Sequence, residues 1–352
     1  MVNRFYDIHG VVRIQVAASE EIGRELDFHL GSFAVDALSV SPDVVIEPYR
    51  AAPPIQRTTV VDDYDYGDGS YHRRAGRLWM NYLGSPQRYC MDRLHLPINL
   101  IVQLALLRTA HTFLHGAGVV LDGTAVLFPA YPGTGKTTLV TAFLKAGASM
   151  LGDDLCIVGK GEAYAYPQAL SVYPHHLPVL GYSDRETRRA FARTAFIDRF
   201  IQPIESSDMR VLKLARVILS TLRTPAVNLP PAVVFGPAAI GRSAAIQKIA
   251  ALERSGDIHE LVMEAADPGD LAAQAAAILW HEWHGSFHDL LLYDALAESG
   301  RGMRARFDSV RDLLQAEFRK VPCARIRIPA DWDNRTLVEA FPGFWRQGSA
   351  GA

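Results

Sequence analysis

The chain has 352 residues, 49% hydrophobic and 21% charged, and its 36 basic and 38 acidic side chains leave a formal charge of −2. That is an ordinary globular composition, long enough at roughly 150 residues per domain for about two cores that need neither disulfides nor structural metals. Near-neutrality excludes a dedicated nucleic-acid binder, and three cysteines, Cys90, Cys156 and Cys323, stand too far apart in sequence for a disulfide framework or a cysteine zinc site, so a reducing cytoplasm is expected.

At the N-terminus Arg4, Asp7, His9 and Arg13 occupy the stretch where an export signal needs an apolar run. Residues 1–95 then alternate as short strands, VVRIQVA at 11–17, DVVIEPY at 43–49 and RLWMNYLG at 77–84, and predict a small β-rich domain. Before the last of them, AAPPIQRTTVVDDYDYGDGS predicts an exposed loop or hairpin tip. Its acids Asp62, Asp63 and Asp65 read as a solvated cluster, with a cation or basic-peptide site as the alternative.

From Pro97 an apolar helix is predicted to about Phe113. Its core LPINLIVQLALL falls short of the roughly 20 apolar residues of a membrane span, so it is expected to be buried and no membrane partner is expected. HGAGVVLDGTAVLFPA reads as two β-branched strands turning at Asp122-Gly123, a strong hairpin signal. A glycine-rich loop follows, then a helix TTLVTAFLKAG that closes at Gly147. The apolar segment ASML leads to Gly152-Asp153-Asp154, which puts two carboxylates at a strand end. Further on, the chain predicts a helix over DMRVLKLARVILSTLR, strands at NLPPAVVFG, IQKIAAL and CARIRIP, and a helical stretch from Asp270 to about Leu296, interrupted near Gly285. The expected division is a β-rich domain over 1–95, an α/β catalytic domain over 96–346 and a disordered tail at 347–352.

The sharpest motif is Ala130 to Thr137, AYPGTGKT, which fits G-x-x-x-x-G-K-S/T except that Ala130 replaces the first glycine. Phosphate binding needs consecutive backbone N–H groups turned inward at a helix N-terminus, which favours glycine at Gly133 and Gly135. Gly133, Thr134, Gly135, Lys136, Thr137 and Thr138 are therefore the predicted nucleotide contacts, with Lys136 on the phosphates and Thr137 on Mg²⁺. A phosphate loop specifies a nucleotide and not a reaction. The reaction has to come from Asp153 and Asp154, one holding the metal while the other accepts a proton from a hydroxyl, and from His115 upstream. His115 and Lys136 are 21 positions apart, and Lys136 and Asp153 are 17 apart.

A histidine-glycine pair, a hairpin, a G-x-G-K-S/T loop and helix, then a strand ending in Asp-Asp resembles the catalytic core of the HPr kinase/phosphorylase family. The resemblance covers about residues 112–160 and reaches loosely to 260. It implies a P-loop α/β core akin to HPr kinase and phosphoenolpyruvate carboxykinase, with a sheet of mixed strand direction. It also implies ATP- and Mg²⁺-dependent phosphoryl transfer to a serine hydroxyl. Within it Asp153 matches the catalytic base, Asp154 the acid at the metal and His115 their supporting histidine. The segment AYAYPQALSVYPHH lacks the family's arginine-glycine and glutamate motif, and no proline-glycine-arginine loop follows, so neither phosphorylase activity nor HPr as substrate is expected. Divergent relatives phosphorylate a serine of ribosomally made peptide precursors, lasso peptides among them.

Weaker signals surround this core. His175 and His176, between prolines, are candidates for the substrate cleft, against a plain surface loop. Arg185, Arg188, Arg189, Arg193 and Arg199 could form a basic stripe in which Arg189 meets an acidic peptide or phosphates, or a solvated face. Arg254 is a candidate clamp for charge on the transferred group. His281, His284 and His288 share a helix face but read better as interfacial residues than as metal ligands. The expected activity is an ATP-dependent kinase acting on a hydroxyl of a peptide or small protein. A small-molecule kinase on the same core and a nucleotide-dependent switch remain as alternatives, and the sequence leaves homo-oligomerisation open.

Overall fold

The computed structural model describes the chain except residues 55–58, 62–63, 68–69, 75–76, 182–183, 186, 193, 195–225, 297–302 and 350–352. Period-two alternation builds the first sheet: β1 (Val2–Ile8) and β2 (Val12–Ala18) turn Tyr6, Ile8, Val12, Ile14 and Val16 to one buried face. With β3 (Ala34–Val35), β4 (Val44–Pro48), β5 (Thr59–Val61), β6 (Tyr64–Gly67), β7 (Ser70–Arg73), β8 (Leu78–Asn81) and β9 (Gln87–Met91) they form a nine-stranded sheet ordered β3-β1-β2-β4-β9-β8-β7-β6-β5. An unpredicted helix, α1 (Glu20–Leu30), covers its buried face. Ser19 caps it by accepting from Ile22 N–H, and Ile22, Leu26 and Leu30 recur every four residues as its buried stripe. One of the three acids is part of the sheet: Asp65, in β6, is 1% exposed and lies 3.2 Å from His72 Nδ1, which overturns the solvated-loop expectation for that residue. Asp62 and Asp63 lie outside the described residues.

Helix α2 (Ile98–Leu106) is apolar nearly all round and buried as expected, each large side chain contributing roughly 1.5–3 kcal/mol relative to exposure. It ends earlier than predicted, because a short 3₁₀ turn at Leu107–Thr109 leads to Ala110 in the left-handed region, φ 59°. The β-branched Thr112 then opens β10 (Thr112–Leu121). The buried Gln103 amide ties the two elements together, donating to Thr112 Oγ1 at 2.8 Å and accepting from Phe113 N–H at 2.8 Å.

The Asp122-Gly123 hairpin forms where expected, joining β10 to β11 (Thr124–Pro129) with Leu121 opposite Thr124 and both turn residues at positive φ. α3 (Lys136–Lys145) follows, and Gly147, φ 94°, closes it. Along the other edge of β10, two strands share one partner: β12 (Ser149–Gly152) pairs with its C-terminal half and β13 (Leu155–Gly159) with its N-terminal half. Asp153-Asp154 is the interruption between them. β14 (Glu162–Tyr164) leads on to a separate two-stranded sheet, β15 (Leu170–Val172) and β16 (Val227–Leu229), with a 3₁₀ turn at Pro174–His176 and the short α4 (Leu177–Leu180) after β15.

Within NLPPAVVFG only Asn228 and Leu229 are strand, the end of β16. Pro231 opens a short helix, α5 (Pro231–Phe235), because a proline at the first helical position gives up a hydrogen bond that no helix makes there. The thirteen-residue β17 (Ser243–Ser255) pairs with β14, runs parallel to β11 and continues parallel to β19 (Cys323–Pro329), with β18 (Val262–Ala265) at the edge. The result is an eight-stranded sheet of mixed direction in a mixed α/β fold.

Three helices complete the chain. α6 (Pro268–Leu296), capped by Asp267 accepting from Asp270 N–H, runs through Gly285 without the expected break. α7 is Met303–Phe318, and α8 (Asn334–Ser349) extends three residues into the expected tail. One hydrophobic cluster runs from the first sheet through α2 into β10, β13, α6 and α7. A second joins α3, β11, β19 and α8. No described helix is long and apolar enough to cross a membrane.

Candidate active site

Two glycines decide where the acids stand. A Cβ on Gly116 would sit 2.3 Å from Phe128 O, and one on Gly152 would sit 2.0 Å from Leu155 O. Both positions therefore admit only glycine, by close backbone approach. The chain can then turn at Asp153-Asp154 and return Asp154 C=O to accept from Gly116 N–H at 2.9 Å. His115 and Asp154 become neighbours across adjacent strands.

On the other side, β11 passes into the loop at Ala130, which pairs in parallel with Leu252 of β17 and is 1% exposed. Its methyl lies in the core beneath α3, which is why alanine is tolerated at the motif's first position. Gly133 (φ 79°) and Gly135 (φ 106°) adopt the left-handed conformation that turns the loop into α3.

The predicted residues converge. Lys136 Nζ is in hydrogen-bond contact with His115 Nε2, and each of these nitrogens lies 3.1 Å from Asp154 Oδ1. The Thr137 hydroxyl donates to Asp153 Oδ2 at 2.8 Å, and Asp153 Oδ1 is buried with no hydrogen-bond partner. These surroundings drive the two acids apart. Burial raises the Asp153 carboxyl to about 6, with Asp154 adding to the rise and the Thr137 hydrogen bond opposing it. Burial would raise Asp154 as well, but the hydrogen bond and charge of His115, then Lys136, outweigh it and hold Asp154 far below the usual carboxylate range.

All five line a cavity of about 450 Å³, together with Gly133 and Gly135. The two substrate-cleft candidates, His175 and His176, line it too. His176 is buried, its Nδ1 accepts from Tyr173 N–H at 3.3 Å, and burial lowers its pKa to about 4. Sequence reasoning missed Gln168, Ser171, Tyr173, Glu282 and Asn334, which come from the irregular segment before β15, β15 itself, the start of the 3₁₀ turn and two helices. Only Tyr173, beside the two histidines, carried any local signal.

Arg254 stands at the end of β17, whose parallel pairing with β11 brings it to the loop. Its Nη1 donates to Pro329 O at 3.0 Å and Trp332 O at 2.6 Å, and its Nη2 lies 3.6 Å from where a Cβ of Gly135 would be. It has no carboxylate partner among the described residues, and burial lowers its pKa.

Other candidates lie elsewhere. The Thr134 hydroxyl donates to Tyr131 O at 2.8 Å within the loop, and the Thr138 side chain is buried; neither lines the cavity. Arg185, Arg188 and Arg189 are exposed and away from it, so Arg189 is not brought to the site, while Arg193 and Arg199 lie outside the described residues. His281 is exposed, the side chains of His284 and His288 lie outside the described residues, and no metal-binding group of three His, Cys, Asp or Glu occurs among those described. Neither a known family model nor a curated protein matches the chain.

Proposed function

We propose that the chain is an ATP- and Mg²⁺-dependent kinase of the HPr kinase-like type that transfers the γ-phosphoryl group to a hydroxyl, serine above all, of a peptide or small protein. The observation that carries the reading is the meeting of the His115–Lys136–Asp154 cluster and the Thr137–Asp153 pair in one cavity beside the glycine loop, and the opposite displacement of the two adjacent acids agrees with it. One carboxyl poised near 6 and one held ionised is how paired carboxyls divide base and electrostatic roles. The donor set suits Mg²⁺, a hard cation that takes one or two carboxylates plus substrate phosphates. The Thr137 hydroxyl, the Asp154 carboxylate and the unpartnered Asp153 Oδ1 are all oxygens beside the loop.

In this reading Gly133, Gly135 and Lys136 hold the phosphates, Thr137 and Asp154 hold the metal, and His115 keeps Asp154 in place. Bound Mg²⁺ would neutralise charge on the transferred oxygens. Asp153 takes the acceptor's proton as the new O–P bond forms and the bond to the leaving ADP breaks. Incubating the purified chain with ATP, Mg²⁺ and serine peptides should add one phosphate to the peptide by mass. ATP consumed with metabolites alone, or hydrolysed without a phosphorylated product, would overturn the peptide assignment.

Arg254 does not line the cavity, but its Nη2 approaches the loop at Gly135, and in this reading it meets charge developing on the γ-phosphoryl oxygens. Arg254→Lys cannot hold both carbonyls and still present a second donor to the loop. Single-turnover rates should fall roughly a hundredfold, the usual cost of one charge-stabilising donor, with a smaller change in ADP affinity by calorimetry. An unchanged rate would remove Arg254 from the site.

A further inference from the structure

Phosphoryl transfer leaves part of the cavity lining unused. Glu282, on α6, lines the cavity and is exposed, and its carboxylate makes no ion pair or hydrogen bond among the described residues. Lys136, the only lysine or arginine lining the same space among those residues, already contacts Asp154 and His115. The cavity also presents an aromatic surface. Tyr173 is 40% exposed, and its ring stacks on His175 with centroids 5.5 Å apart and planes 12° apart. Asn334 steadies that pair by donating to His175 O at 3.3 Å.

We propose that Glu282 and the Tyr173–His175 stack form a subsite for a cationic side chain, arginine above all, beside the acceptor hydroxyl, so that the substrate is a basic peptide segment. This rests on the kinase reading of the same cavity and names its acceptor class. An unpaired carboxylate and an open aromatic face offer the two contacts a guanidinium makes best, a charge-assisted hydrogen bond and stacking. The charge balance points the same way. Nucleotide phosphates would enter a space already lined by Asp153, Asp154 and Glu282. An acidic residue beside the acceptor adds repulsion, whereas a basic one offsets it.

The test uses the full chain with ATP and Mg²⁺ and short synthetic peptides that differ only in the residue beside one serine: arginine, its neutral isostere citrulline, or glutamate. The arginine peptide should exceed the citrulline peptide in kcat/KM by roughly tenfold or more, as for a charged hydrogen bond, with the glutamate peptide slowest. Glu282→Lys should invert the order of the arginine and glutamate peptides, and Tyr173→Ala should narrow the arginine-to-citrulline ratio. Binding is read separately by calorimetry, with ADP, Mg²⁺ and the arginine peptide carrying alanine in place of serine. Equal rates for arginine and citrulline, or binding insensitive to Glu282→Lys, would overturn the subsite. Glu282-dependent binding without phosphorylation of any peptide would leave the subsite standing and overturn the kinase reading instead.

Discussion

Asp153→Asn is expected to lower phosphoryl transfer by roughly 10²–10⁴-fold, the usual contribution of a positioned general base, while leaving nucleotide binding measurable. Asparagine keeps the size of the side chain and can still accept from the Thr137 hydroxyl, which now donates to Asp153 at 2.8 Å, so the loop should keep its shape. What it loses is the ability to take a proton. The same argument fixes a pH dependence. A base works deprotonated, and burial places the Asp153 carboxyl at about 6, so kcat/KM should fall as pH drops through about 6 and level off above it. Asp154, held far lower, stays ionised through that window, and His176, lowered to about 4, stays neutral in it. The limb should therefore vanish from the residual activity of Asp153→Asn. A variant that loses ADP binding along with transfer, or one that keeps the limb, would assign the base elsewhere.

Local chemistry made part of this legible. The Asp-Gly turn, the positive-φ glycines of the loop, the closing Gly147 and the alternation of CARIRIP each act within a few residues, and each appears where expected. The spacing of His115, Lys136 and Asp153 reflects a single strand, β10, that carries the loop's hairpin on one edge and the acid turn on the other. The rest depends on distant segments. Gly116 and Gly152 look like ordinary turn residues until Phe128 O and Leu155 O are seen to close on them. Glu282 and Asn334 reach the cavity only because α6 and α8 pack beside it, more than a hundred positions along the chain from Asp153. Asp65 reads as part of a solvated acidic run, yet a cross-strand histidine stabilises it in a buried position. Helix α8 escaped notice because Pro342-Gly343 is a breaker signal, and intrinsic preference there is overridden by packing.

That override makes Phe341→Ala the largest expected stability change. Proline in a helix interior removes a backbone hydrogen bond and crowds the preceding turn, so α8 is held by what it buries. Phe341 is fully buried, with its ring 5.5 Å from Phe143 of α3 and 6.2 Å from Trp345, and Phe128 lies 5.4 Å from Phe143 beneath them. Truncation should cost about 3–5 kcal/mol, a large share of the roughly 5–15 kcal/mol that holds a domain folded. Urea unfolding would read it as a lower midpoint at an unchanged slope, and a loss under about 1 kcal/mol, the level of surface substitutions or mild repacking, would mean that α8 is not held this way. The helix also touches the loop, since Leu337 Cδ2 lies 3.1 Å from where a Cβ of Gly135 would stand. Saturating ADP and Mg²⁺, at about a hundred times the dissociation constant, should restore about 2.7 kcal/mol if the loop keeps its shape. A smaller recovery in Phe341→Ala than in the parent chain at the same ligand concentration would show that α8 holds the loop in its binding conformation as well as covering the core.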